Sequence, residues 1–145
     1  MENLWGKLEN KNNDILFPKE ILDEQSNFLV SMTDGKLYGE VVDYIDDDWD
    51  ELELYEVKET DFCYRFFIRS RFMEKYRFGV LTIFHNIEMY PVYIKTDEGI
   101  HKEISGKKSG FLQADSEGEY KKLLEKILQS EKIKIVLNSL NRLSK

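Results

Sequence analysis

CYRFFIRSRFMEKYRFGVLTIF, residues 63–84, sets arginines among aromatic and aliphatic residues at near-alternating positions. Such a pattern fits a surface that reads nucleic acid, or strands with one side in a core and one side in water. Successive strand side chains point to opposite faces. Phe66 and Ile68 then share one side, and Arg65, Phe67 and Arg69 share the other. The sheet reading is preferred, because the whole chain is acidic. It carries 28 Asp+Glu against 21 Lys+Arg and a net charge of -7. That balance opposes general attraction to phosphate backbones or anionic membranes. No RRM aromatic-glycine signature accompanies the aromatics.

The acidic charge is concentrated where it can meet these arginines. Residues 40–61 hold eleven acidic residues and one lysine, and residues 62–86 hold five basic residues and one acidic residue. Strands at 51–59 and 62–71 form a hairpin around Thr60 in this reading. Leu54 then faces Phe66, Leu52 faces Ile68, Tyr55 meets Arg65, and Glu51 meets Arg69. Opposite charges across strands contribute roughly 0.2–1 kcal/mol each. Phe67 stands out as an aromatic on the arginine side, where Phe78 or Val80 of the next strand is its expected companion. An outer face of this kind is amphipathic, and Arg and aromatic residues are favoured at interface hot spots. Arg65, Phe67, Arg69 and Trp49 are therefore the candidate binding residues, with another protein as the expected partner.

Around this centre the elements follow in order. The stretch FPKEILDEQSNFLVSMTDG (17–35) reads as a helix, with Pro18 in its first turn and Gly35 as its stop. Strands are expected at 37–45, 51–59, 62–71, 76–85 and 90–96, with a short sixth at 99–104 and a loop at 105–114. Short gaps favour an antiparallel meander. Ser116 and Glu119 fit a capping box before a helix with Tyr120, Leu123, Leu124, Ile127 and Leu128 on one stripe. Ser130 restarts or bends it into a segment presenting Ile133, Val136, Leu137, Leu140 and Leu143. The class is α+β: one domain over 1–145, with a five- or six-stranded antiparallel sheet and helices on one face. A surplus apolar edge on the last helices would make a homodimer the alternative to a closed core.

Catalytic patterns are sparse. Glu56-Val57-Lys58 with Asp43 is the best enzyme candidate. Two carboxylates would hold Mg²⁺ and the lysine would stabilise developing charge, as in metal-dependent nucleases. Acid-x-base triplets arise readily in a chain that is 34% charged, so this is the alternative reading. Asp46, Asp48 and Asp50 have the spacing of a calcium loop, but Glu51 and Val57 occupy its glycine and final glutamate positions. A Cys63–His85 dyad is conceivable if their strands are neighbours. No nucleophile elbow, phosphate loop or dinucleotide fingerprint is present. No cofactor and no bound metal are expected. A third reading places a small molecule between the sheet and the 116–143 helices. One cysteine, no signal-peptide pattern in MENLWGKLEN and no apolar run of about 18 residues suggest a cytoplasmic protein without a membrane role.

FPKEILDEQSNFLVSMTDGKLYGEV, with Tyr90-Pro91-Val92 and the ending EYKKLLEKILQSEKIKIVLNSL, resembles a group of small bacterial proteins to which no activity is assigned. These share a P-x-x-I-L-x-E-Q helix followed by T-x-G-x-L-x-G. The resemblance implies a bacterial or mobile-element origin and a self-contained domain. It brings no catalytic residues. The leading functional expectation is a non-catalytic protein-binding module: a regulator, inhibitor, immunity protein or accessory subunit.

Overall fold

The computed structural model of the chain describes residues 1–8, 15–44 and 60–144. Helix α1 (Pro18–Met32) leads into β1 (Leu37–Asp43), β2 (Phe62–Ser70), β3 (Met73–His85) and β4 (Val92–Thr96). Then come α2 (Glu98–Ser105), β5 (Leu112–Ala114), α3 (Glu117–Leu128) and α4 (Glu131–Leu143). Among the described residues the sheet has five antiparallel strands in the order β1-β2-β3-β4-β5. The fold is α+β, as the pattern of elements implies.

Three expectations change. Strand β2 has both edges occupied, pairing Val41 with Phe66 on one side and Leu81 with Phe66 on the other. The expected hairpin of 51–59 with 62–71 is therefore displaced by β1; residues 51–59 themselves lie outside the described residues. GIHKEI is helical rather than extended. Its apolar residues Ile100 and Ile104 are four apart, a spacing that fits both alternation and a helical turn. The ends decide: Asp97 accepts the Gly99 N–H at 3.0 Å as N-cap, and Gly106 closes α2 in the left-handed conformation at φ 78°. The fifth strand comes instead from 112–114, a stretch expected to be loop.

The helix ends follow local chemistry. Phe17 N–H donates to Glu20 at 3.2 Å before α1, and Pro18 needs no donor there. Ser116 accepts the Glu119 N–H at 3.2 Å, while Glu119 accepts from Asp115 N–H, one residue earlier than in a standard capping box. Ser130 caps α4 by accepting from Ile133 N–H, so the last two helices are separate.

One cluster joins all four helices to one sheet face. Ile21, Leu22 and Leu29 of α1 meet Ile100 of α2, Tyr120, Leu124 and Ile127 of α3, and Ile133, Val136 and Leu140 of α4. The sheet contributes Leu37, Phe66, Ile68, Leu81, Ile83, Val92 and Ile94. Tyr120 is fully buried, and its hydroxyl donates to the Pro18 carbonyl at 2.9 Å. This bond ties α3 to the start of α1 across 102 residues. Tyr120→Phe is expected to cost about 1–3 kcal/mol, because a buried carbonyl loses its donor. Urea unfolding would show this as a lowered midpoint at unchanged slope; an unchanged midpoint would deny the bond a structural role. No helix among the described residues is long and apolar enough to cross a membrane.

Candidate functional site

The sheet face opposite the helices answers the question raised by residues 63–84. Val42, Arg65, Thr82 and Lys95 form one row across four strands, because their backbones pair in register. Beside that row Phe67 pairs with Gly79, and Arg69 pairs with Arg77. A register shift between Phe66 and Phe67 leaves Val80 as an extra residue on β3. Val80 joins the inner cluster, and Phe78 packs against the same core. Neither is the outer companion of Phe67, contrary to expectation; that place goes to Gly79 and two arginines.

Phe67 is 2% exposed, although it lies on the outer face. Two guanidinium groups cover it. Arg65 lies 4.7 Å and Arg77 4.3 Å from its ring centroid. A Cβ on Gly79 would come within 3.3 Å of an Arg65 nitrogen and 3.6 Å of the Phe67 ring, so glycine makes room for this stack. Arg65 also donates to the Tyr44 hydroxyl at 3.3 Å. Arg69 pairs with Glu40 at 3.2 Å on the neighbouring strand. Glu40 is thus an acidic partner of Arg69 supplied by β1, and Glu51, the expected partner, lies outside the described residues. Lys95 lies 5.3 Å from the Phe111 ring, which meets Phe84 edge-on.

These groups surround a cleft of about 430 Å³ lined by Tyr44, Arg65, Thr82, Phe84, Lys95 and Lys108, among others. Asp97 and Glu98 also reach it, so both signs of charge are present. His101 lines the same cleft, is almost fully buried, and has no hydrogen-bond partner at Nδ1. Lys95, Lys108 and His101 were not singled out as site residues by the sequence pattern, because only the tertiary fold gathers β4, α2 and the connection after α2 here. Of the candidate binding residues, the structure brings Arg65, Phe67 and Arg69 onto one face; Trp49 lies outside the described residues.

The alternative catalytic set is only partly visible. Asp43 ends β1 and pairs with Tyr64. Glu56 and Lys58 lie outside the described residues. Among the described residues no group of three His, Cys, Asp or Glu side chains could hold a metal ion. Cys63 pairs with Phe84 and His85 with Phe62, so Cys63 and His85 are on opposite faces and make no dyad. Burial, reinforced by Asp43, pushes the Cys63 thiol up to about 12, against the opposing effect of Arg65. A thiol held protonated is a poor nucleophile. Neither the outer cleft nor a smaller one near the start of α1 has a lining residue from the 116–143 helices.

His85 is 1% exposed and donates through Nδ1 to the Asn86 carbonyl at 2.8 Å. Burial lowers its pKa from 6.5, although the Asn86 carbonyl and Asp61 both act to raise it. The unfolded chain then binds a proton at this histidine that the folded chain does not, between the lowered value and about 6.5. Stability therefore rises with pH across that window and falls as the pH drops through it. Urea midpoints over a pH series should show this slope in the wild type and a flatter one in His85→Phe. Parallel profiles would assign the acid sensitivity to other groups.

No family model, no curated protein and no solved structure matches this chain, so the resemblance to small bacterial proteins rests on the quoted motifs alone.

Proposed function

We propose that this chain is a non-catalytic protein-binding module of bacterial origin whose outer sheet face takes an acidic segment of another protein. The observation that carries this reading is the pair of guanidinium groups stacked on buried Phe67, in a chain whose net charge is -7. A local cationic patch on an acidic protein orients an acidic partner and repels it elsewhere. Phe67 acts from beneath the surface: it fixes Arg65 and Arg77 in place, so less side-chain freedom is lost on binding. Arg69 is held by Glu40 and Arg65 by the Tyr44 hydroxyl, which further fixes the shape of the face.

The test is affinity capture from a nuclease-treated extract of the native host, with native mass spectrometry of the eluate. Wild type should retain a stoichiometric protein that Arg65→Glu/Arg77→Glu loses, with a drop in affinity of at least about tenfold. Lys121→Glu, exposed on α3 and paired with Glu117, should retain it. Equal capture by all three proteins would refute the outer face as the binding surface.

A further inference from the structure

A second cleft lies at the other side of the molecule's sheet, beside the start of α1. Its volume is about 240 Å³. Phe17, Phe62, Tyr64 and Ile87 supply apolar lining, and His85 lines it with them. Its rim is held by two reciprocal bonds. Asp61 N–H donates to Asn86 Oδ1 and Ile87 N–H donates to Asp61 Oδ2, each at 3.0 Å. These bonds tie the start of β2 to the residues just after β3. The Phe62 and His85 rings stack at 5.3 Å.

One polar atom here is unaccounted for. His85 Nδ1 bonds to a carbonyl, so it carries the proton and Nε2 is left as an acceptor. Nε2 is buried and has no partner. Buried acceptors are nearly always satisfied.

We propose that this cleft binds a small, neutral, planar ligand of one or two fused rings whose single N–H or O–H donor is accepted by His85 Nε2. Size supports two rings: an apolar cavity of about 150 Å³ holds a benzene ring, and this cleft is larger. Lys19 and Glu20 stand at the lining with opposite charges, which favours neither a cation nor an anion. Nε2 lies beneath the surface of the cleft, so entry moves a rim side chain. Ile87, 58% exposed, and Phe17, 42% exposed, are the rim side chains with room to change rotamer. This site is separate from the outer face and does not depend on its function.

Indole and benzofuran test the proposal, because they share a shape and differ in the N–H donor. Each is titrated into uniformly ¹⁵N-labelled protein and followed by NMR. Indole should shift resonances of Phe62, Tyr64, His85 and Ile87, move the imidazole Nε2 signal, and bind about tenfold more tightly than benzofuran, the worth of one good hydrogen bond. Ile87→Trp, at an exposed position, should fill the cleft and abolish binding. His85→Phe should bring the two ligands to equal affinity. No shifts at the solubility limit of indole would overturn the proposal, as would equal affinity with Nε2 unmoved, or indole binding retained in Ile87→Trp. The measurements on wild type and Ile87→Trp stand even where His85→Phe does not fold.

Discussion

Replacing Phe67 with alanine is expected to destabilise the fold by about 3–5 kcal/mol, the usual range for emptying a buried aromatic site. The ring is 2% exposed, and its removal leaves a void beneath two charged groups. Arg65 and Arg77 then lose the face on which they stack, each contact being worth about 0.5–2 kcal/mol. Phe67→Leu separates the two effects, since it keeps most of the volume and removes the aromatic face. Its expected cost is about 1–2 kcal/mol, and combining it with Arg77→Ala should cost less than the sum of the single changes. Urea unfolding of the four proteins measures this coupling. Additive costs would show that the guanidinium groups sit over the ring without drawing energy from it. A Phe67→Ala midpoint equal to that of wild type would contradict the buried position of the ring itself.

Gly39→Ala should be the most damaging change of a single methyl group. Gly39 lies on β1, an edge strand among the described residues, with Ser26 of α1 close beside it. A Cβ at this position would come within 2.7 Å of two Phe66 ring carbons and 3.0 Å of Ser26 Cβ. Phe66 is 2% exposed and belongs to the core cluster between the sheet and the helices. Ser26 cannot withdraw freely. Its hydroxyl donates to the Gly39 carbonyl at 2.6 Å and accepts from the Gly39 N–H at 3.0 Å. Among the described residues, this one side chain thus satisfies both outward backbone groups of β1 at that residue. Overpacking of this kind costs about 1–3 kcal/mol, and separation of α1 from β1 would add the two lost bonds. The shift in urea midpoint measures it, and Phe66→Leu in the same chain should restore part of the loss. A Gly39→Ala protein as stable as wild type would mean that α1 does not pack this closely.

Much of this architecture was legible from residue order. Ser116, Ser130, Pro18 and Gly35 mark helix ends through local chemistry, and each does so in the structure. The strand character of 62–71 and 76–85 follows from alternation alone, although the second strand starts three residues earlier, at Met73. What failed was long-range. The acids of 40–61 offer many equivalent partners for Arg69, so charge matching could not choose Glu40 over Glu51. Chain proximity pointed to 51–59, whereas the described neighbour of β2 comes from 37–43; Glu51 lies outside the described residues. The bulge at Val80 has no sequence signature, yet it decides that Gly79, not Phe78 or Val80, lies beside Phe67. Ile100 and Ile104 fit both helical and alternating periods, and only the caps at Asp97 and Gly106 separate them. The outer cleft gathers Lys95, Lys108 and His101 from β4, the 106–111 connection and α2, a grouping that no local pattern announces.

The most direct test of the cationic outer face is the salt dependence of binding to the captured partner. Calorimetric titrations at two ionic strengths would compare wild type with Arg65→Gln/Arg77→Gln, which keeps polar, hydrogen-bonding side chains and removes two charges. Contacts between exposed charges are screened over roughly 8–10 Å at physiological salt. Wild-type affinity should therefore fall as salt rises, and the double variant should bind more weakly with a shallower dependence. Equal affinity and equal salt dependence in the two proteins would contradict the account.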